Sequence, residues 1–398
     1  MTTTLIRDLF LGIAAIPFIY FTLAIVSTIR FFREAPAEAD EAKGFQPPIS
    51  NLKPVRGLDP NAYENFASFC RQDYPNYEIL FCVGDKSDPA FPVLQQLVRD
   101  FPDCQIRILI GSGREAANDK VAKLARLANE AAYEHLVISD SDVRVEAGYL
   151  SKVIAPLANP KVGAVTCFYV PAEEKNWLDQ LQDIGMLSDF YPGILVAEQL
   201  DGVKFTLGPT IATTRTRLNG FGGYAAIENM PADDLLVGRL IADQGYEVKL
   251  LPYSISTVPD FHSLSELIYK RLRWMTVMRH MRPWGHLGLV FTLGLPWALL
   301  AVALRPTPGV AAIYVGGYLA FRAVLTTLVG TWGLEQPGVL RKLVLVPLWD
   351  AFACLIWLAS FTRTTIRWRG QDYVIRNGEL IPAAADKSMA QAKAPVTP

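Results

Sequence analysis

The sequence predicts an α/β domain with a mostly parallel sheet, framed by N-terminal and C-terminal transmembrane helices. Three observations predict it. Short apolar runs alternate with helical stretches from Pro47 to about Pro259, the pattern of strand–helix layers. Hydrophobic residues make up 51% of the 398, and the mean hydropathy of +0.20 is high for a wholly soluble chain. That excess is concentrated at the two ends of the sequence.

Leu9–Ile29 is almost uninterrupted apolar sequence followed by Arg30 and Arg33, and about twenty such residues cross a hydrocarbon core. No small-residue cleavage site follows the run, so residues 1–33 read as an uncleaved anchor. Its basic flank places the following domain, residues 47–283, in the cytosol. Gly285–Leu304, Val310–Trp332 and Leu343–Phe361 are further candidate spans, within a membrane region 285–361. Arg322 and Asp350 in these spans are expensive in lipid unless paired or buried in protein, and they are expected to face each other. Three spans would leave the tail 362–398 outside, yet Arg363, Arg367, Arg369 and Arg376 favour the cytosolic side. One segment is therefore expected to be re-entrant or interfacial, one containing Pro296 or Pro347. The tail reads as basic and then disordered.

A net charge of −1 gives no global basic field, so no nucleic-acid partner is expected. The five cysteines are scattered without metal-ligand or C-x-x-C spacing and read as free thiols in a reducing compartment.

Within the domain, Ile79–Val83, Ile106–Ile110, Leu136–Ser139 and Val162–Phe168 read as buried strands. Pro92–Phe101 and Lys120–Ala132 have helical spacing. Open α/β sheets bind ligands beyond the carboxyl ends of their strands. Asp85 and Asp88 in V-G-D-K-S-D, and Asp140 and Asp142 in S-D-S-D, fall just past two such ends. A D-x-D there suits Mg2+ or Mn2+, which take oxygen ligands and bridge to phosphates and would neutralise a diphosphate leaving group. Asp233 and Asp234 open an apolar-faced helix. They read either as N-terminal capping charges or, for one of them, as a general base taking a proton from an attacking hydroxyl. Direct attack from the opposite face would invert the anomeric centre. Asn118 and Lys120 open another helix, where a cation and backbone amides can meet an anion; a solvated lysine is the other reading. Lys270, Arg271, Arg273 and Trp274 lie on a basic amphipathic helix suited to a membrane surface, with Arg273 able to fork onto a diphosphate. Arg279, Arg282 and Trp284 read as interfacial. Leu207–Gly208–Pro209–Thr210 reads as a turn that shapes an acceptor entrance. His262, His280 and His286 lack ligand spacing. Together the motifs describe a nucleotide-sugar site, and the flanking apolar segments imply a lipid acceptor.

These residues resemble the family-2-like glycosyltransferases with a GT-A fold, most closely the ceramide glucosyltransferase group, glycosyltransferase family 21. The resemblance covers roughly Pro48 to Pro283 and continues into W-R-G-Q-D-Y at Trp368–Tyr373. L-K-P-V-R-G at Leu52–Gly57, Q-D-Y-P at Gln72–Pro75 and S-D-P-A at Ser87–Ala90 look like that group's opening. It implies that Asp85 contacts uracil, with Asp88 in the same motif, and that Asp140 and Asp142 hold the metal and diphosphate. Asp234 then matches the catalytic base, Asp233 the preceding acidic place, and Arg273 and Trp274 the R-W pair, with Lys270 and Arg271 in support. The pattern departs at Lys270, where Gln or Arg is usual, at Lys123, a frequent Asn, and at Tyr191, where animal enzymes have His. The implied activity is transfer of a hexose, with glucose expected, from a UDP-sugar to a membrane lipid, with ceramide expected. A bacterial branch similar to the same family uses hopanoids, which leaves UDP-N-acetylglucosamine and a hopanoid polyol as the rival pair. A polysaccharide synthase would need more membrane helices and a Gln in place of Lys270. A non-catalytic scaffold or transporter subunit would leave the ordered Asp motifs unexplained.

Overall fold

The computed structural model describes residues 2–38, 44–259, 261–368 and 371–384. The chain divides into two compact units. One comprises Met1–Glu34, Lys175–Asp201 and Phe261–Asp372; the other comprises Ala35–Glu174, Gly202–Asp260 and Tyr373–Pro398.

The second unit is built on eight strands: β1 (Ile49–Pro54), β2 (Tyr77–Val83), β3 (Gln105–Ile110), β4 (His135–Ile138), β5 (Val143–Arg144), β6 (Val162–Pro171), β7 (Ile211–Thr214) and β8 (Glu247–Thr257). They form one sheet in the order β3-β2-β1-β4-β7-β6-β8-β5. The first four in that order run parallel, as do β6 and β8, while β7 and β5 are antiparallel to their neighbours. This is the mixed, mostly parallel sheet expected. Leu52 of β1 lies opposite both Leu80 of β2 and Ile138 of β4. The carboxyl ends of the three central strands are therefore level, and the loops carrying Asp85 and Asp140 leave from one edge.

Central parallel strands are covered on both faces and rich in apolar residues. Phe66, Phe69, Leu94, Leu97, Tyr149 and Val153 pack from flanking helices onto Ile79, Phe81 and Val137, each buried side chain contributing about 1.5–3 kcal/mol. Strand β1 departs from that rule: Ser50, Asn51 and Lys53 are buried within it. Ser50 Oγ donates to Glu78 Oε1 at 2.6 Å, and that carboxylate also accepts from the Ala132 N–H. The helix Asp233–Asp243 lies tightly on the unit because two positions lack a side chain. A Cβ at Gly238 would meet the Phe205 backbone at 2.3 Å, and one at Gly163 of β6 would meet Ile241 at 2.5 Å.

In the other unit, Thr4–Glu34, Pro308–Gly333 and Val339–Ser360 are helices long and apolar enough to cross a membrane. Pro283–Phe291 and Gly294–Leu304 make a fourth candidate if they count as one span, bent by 48°. The bend falls in the segment that holds Pro296. Arg322 and Asp350 meet as the sequence led us to expect. Arg322 Nε donates to Asp350 Oδ2 at 2.9 Å and its Nη2 pairs with the other carboxylate oxygen. Tyr318 Oη donates to Asp350 at 2.7 Å, and Arg322 also reaches the carbonyl and hydroxyl of Ser188. A second buried ion pair joins Lys342 to Asp183.

After Phe361 the basic stretch is strand: Thr365–Trp368, then a hairpin pairing Tyr373–Arg376 with Glu379–Pro382. The disorder expected of the tail falls on residues 385–398, outside the described residues. All five cysteines are free, as expected.

Candidate active site

Strand β4 ends at Ile138, and the chain turns through Ser139–Asp142 into β5. This turn is held from beneath by Lys53. Its Nζ donates to Ser139 Oγ at 3.1 Å and to the Asp140 carbonyl at 2.9 Å, and it sits 3.5 Å from the centre of the Phe69 ring. Burial pulls the Lys53 pKa down to about 7, with Asp140 and Asp142 acting in the opposite sense. Ser141 Oγ donates to Asp59, and Val258 N–H donates to the Asp142 carbonyl at 3.1 Å. With its backbone so fixed, the turn presents the Asp140 carboxylate outward, about a third exposed.

Two further carboxylates and one ammonium group converge beside it. Asp233 and Asp234 open the helix Asp233–Asp243, and their two side chains do different things. Asp233 is buried and faces Lys120, whose Nζ lies 3.0 Å from Asp233 Oδ2 and 2.8 Å from Asp140 Oδ1. Asp234 Oδ2 accepts from the Gly208 N–H at 3.2 Å and Oδ1 accepts from Leu235 N–H at 2.8 Å. Burial first, and then the charge of Asp233, raise the Asp234 pKa to about 6, against the pull of Lys120. For Lys120, burial lowers the pKa, but Asp140, Asp233 and Asp234 together raise it above the usual lysine value. It stays charged.

Gly208 lies at the centre of this arrangement. The turn expected at Leu207–Thr210 is present, closed by Thr210 N–H donating to the Leu207 carbonyl at 3.1 Å. A Cβ on Gly208 would come 3.3 Å from Asp234 Oδ2, 3.4 Å from Asp140 Oδ2 and 3.7 Å from Lys120 Nζ. The missing side chain leaves a small cradle bordered by charged groups.

Lys120 is aimed by its helix, Asp119–Glu130. Asn118 caps that helix by accepting from Val121 N–H at 3.3 Å and anchors it by donating from Nδ2 to the Met230 carbonyl at 2.9 Å. One turn further on, buried Lys123 donates to the Val55 carbonyl and to Asp119, both at 2.9 Å. An Asn there would be too short to reach as far.

Asp85 lies in the exposed loop after β2, where the side chain and N–H of Ser87 both donate to it and hold its carboxyl below the usual range. Asp88 is engaged within the protein: Gly57 N–H donates to both its oxygens at 3.1 Å, and Ala90 N–H donates at 3.0 Å. It ties the loop after β1 to the loop after β2.

The remaining motif residues lie on the helix Leu264–Met281 of the other unit. Arg271 points inward and is buried, with its guanidinium 5.2 Å from the Trp274 ring and 4.6 Å from the Trp349 ring. Lys270 Nζ is 4.9 Å from the Phe261 ring and 5.4 Å from Trp274. Arg273 stacks at 5.5 Å on Trp368, the first residue of the tail motif. Trp274 packs on Phe190, and Tyr191 beside it is fully buried. Trp284 is 83% exposed. Arg279 instead donates to the Phe361 and Arg363 carbonyls. Of the histidines set aside as ligands, His286 is buried against Ser360 Oγ at 3.0 Å.

The acidic turn fits a divalent cation. Among the described residues no group of three or more His, Cys, Asp or Glu is arranged to hold an ion. The chain would supply Asp140 and Asp142, and phosphate and water oxygens the rest, the usual way Mg2+ is held. The Asp140 side chain is 30% exposed, so a hydrated cation can reach it. Sequence reasoning missed Lys53, Gly208 as the centre of the cluster, and Tyr224, a buried tyrosine that faces it. A lone lysine in an otherwise buried strand was the one available signal.

The sheet order and the acidic turn define a GT-A glycosyltransferase fold. The sequence pattern of glycosyl transferase family 21 matches residues 9–381, and the chain belongs to that family. Ceramide glucosyltransferase 3 of Caenorhabditis elegans is 24% identical over 246 residues, 61% of this chain and 53% of the relative. The ceramide glucosyltransferase of Gibberella zeae is 30% identical over 168 residues, 40% of this chain and 31% of that protein. The matches thus span about half or less of these two relatives. Ceramide glucosyltransferase 1 of C. elegans is 22% identical over 366 residues, covering 86% of this chain and 76% of that one. Among solved structures, a mannosyltransferase from Pyrobaculum calidifontis in complex with GDP-Man and Mn2+ aligns with a TM-score of 0.55 and 19% identity. That alignment covers 85% of this chain and 99% of the other, and it shows the shared fold.

Proposed function

We propose that this protein is a membrane-bound, inverting hexosyltransferase that moves a sugar, with glucose expected, from a UDP-sugar to a lipid hydroxyl at the cytosolic face. The observation that carries this reading is the convergence of Asp140, Asp233, Asp234 and Lys120 around Gly208, at the edge where the central parallel strands end. Asp85 contacts the uracil, and Lys120 meets the diphosphate. Asp140 and Asp142 hold Mg2+ or Mn2+, which when bound neutralises charge on the leaving diphosphate. Asp234 takes the proton from the lipid hydroxyl. With a pKa of about 6 it is ionised near neutrality and basic enough to accept that proton. Its hydrogen bonds from Gly208 and Leu235 fix where the carboxylate points. Arg273 and Trp274 are assigned to the diphosphate on their motif alone.

The apolar helices are assigned the delivery of the lipid, and the bent pair that includes Pro296 is assigned as the re-entrant element that keeps the basic tail cytosolic. Ceramide is the acceptor favoured by the named relatives. Tyr191 stands where animal enzymes have His, which keeps a hopanoid polyol with UDP-N-acetylglucosamine as the second reading.

Lipid analysis of the source cells with and without the gene tests acceptor and sugar together. Loss of a glucosylated ceramide supports the first reading, and loss of an amino-sugar hopanoid the second. An unchanged glycolipid profile contradicts both.

A further inference from the structure

Lys120 occupies the carboxylate assigned to the metal. Its ammonium group lies 2.8 Å from Asp140 Oδ1 and 3.0 Å from Asp233 Oδ2, with 15% of the side chain exposed. An ammonium group and a divalent cation repel each other across one carboxylate, so Lys120 on Asp140 weakens what that carboxylate offers a metal. Free metal thus meets an Asp140 carboxylate already paired from within.

Tyr224 is the second, independent observation. It is 2% exposed, and its hydroxyl has no hydrogen-bond partner among the described residues. The 3-10 turn Tyr224–Ile227 is held against the start of the Lys120 helix. Asn118 N–H donates to the Glu228 carbonyl at 3.0 Å, and Ala117 N–H donates to Asn229 Oδ1 at 3.0 Å. Burial, and then Asp233 ahead of the other charges of the cluster, keep the phenol protonated. A buried donor without an acceptor is costly and calls for a partner in another state.

We propose that Lys120 is a resident counter-cation that exchanges with the metal. Without donor it bridges Asp140 and Asp233. When the metal-bearing nucleotide arrives it leaves Asp140 for the diphosphate, and the Tyr224 hydroxyl donates to the Asp233 carboxylate so released. This rests on the glycosyltransferase reading above and adds an order to it: nucleotide and metal load together, and metal alone binds weakly. The diphosphate would lie near the amino end of the Lys120 helix, where an anion is favoured.

The full chain in detergent is titrated with Mn2+ alone, reading free Mn2+ by electron paramagnetic resonance, and then with UDP at saturating Mn2+ by calorimetry. Lys120→Gln is expected to bind Mn2+ without nucleotide about tenfold more tightly than wild type or better. Lys120→Arg should stay as weak as wild type, and Asp140→Asn added to Lys120→Gln should abolish the gain. Tyr224→Phe removes no contact in this state, so it should melt at or above the wild-type temperature, yet bind UDP with Mn2+ several-fold more weakly. It keeps the proposal testable if Lys120→Gln does not fold. A folded Lys120→Gln that binds Mn2+ no more tightly than wild type, or a Tyr224→Phe that binds UDP as wild type does, overturns the exchange. Wild type that binds no UDP with Mn2+ would instead overturn the glycosyltransferase reading.

Discussion

The backbone N–H of Gly208 donates to Asp234 Oδ2 at 3.2 Å, and the bare Cα of the same glycine faces Asp140. One residue of a tight turn thereby sets the spacing between the assigned base and the assigned metal ligand. Gly208→Ala would bring a Cβ within 3.3 Å of Asp234 Oδ2 and 3.4 Å of Asp140 Oδ2. The Asp234 carboxylate would have to give way by a few tenths of an ångström, against its hydrogen bond from the Gly208 N–H. We expect a melting temperature close to wild type and turnover reduced about tenfold or more. Unchanged turnover in this variant would remove Gly208 from the account.

Asp234→Asn keeps the shape of the side chain and removes the basic group. UDP binding should persist while turnover falls by about 10²–10⁴-fold. The pH dependence has a defined sign. The carboxylate is the active form and its pKa is about 6, so the wild-type rate should fall as pH drops through that value. Stability moves the other way. The folded value lies above the ordinary one, so the stability this group contributes is greatest in acid and is lost as pH rises from about 4 toward 6. Melting curves of wild type and Asp234→Asn across that window should differ in slope.

Lys53 stands behind the site without facing it. Lys53→Met would relieve a buried ammonium group, so the melting temperature should hold or rise. The Asp140 turn would lose its two donors from Nζ. Metal-dependent UDP affinity should then fall about tenfold, the usual effect of removing a group that orients a metal ligand. Calorimetry paired with thermal melting separates these two effects.

The Arg322–Asp350 pair is buried and shared with Tyr318 and Ser188. Neutralising either partner alone should destabilise the membrane unit by about 3–5 kcal/mol, read as loss of folded protein in detergent. A charge swap retains the pair but sets a carboxylate against the Ser188 carbonyl, so it should recover only part of that loss. A swap no better than either single variant would mean that the pairing itself contributes nothing.

Much of this fold was legible because apolar strands and acidic strand ends are local signals. Strands β2, β3, β4 and β6, the D-x-D turn and the Arg322–Asp350 pair all followed from short-range pattern and the cost of burying charge. Strand β1 was recognisable only as a motif, because Ser50, Asn51 and Lys53 break its apolar run. Ser50 and Lys53 are satisfied by Glu78 and the Asp140 turn, partners distant in sequence. Strands β7 and β8 were unread for a similar reason: β8 runs K-L-L-P-Y-S-I-S-T without a clean alternation. Of the site, the identities of the carboxylates were readable, but their pairing was not. That Asp233 answers Lys120 while Asp234 answers Gly208 depends on how the helix Asp233–Asp243 sits on Gly163 and Phe205. The stretch Lys175–Asp201 gave no sign that it groups with the apolar helices.

The most direct test of the central claim is UDP release by purified full-length protein supplied with UDP-glucose, Mn2+ and ceramide in mixed micelles, beside Asp234→Asn. Lipid-dependent UDP release with a β-linked glucosyl product is expected, lost in Asp234→Asn and on chelation of the metal. UDP release that continues undiminished in Asp234→Asn would contradict it, as would none from wild type with ceramide or with a hopanoid polyol and UDP-N-acetylglucosamine.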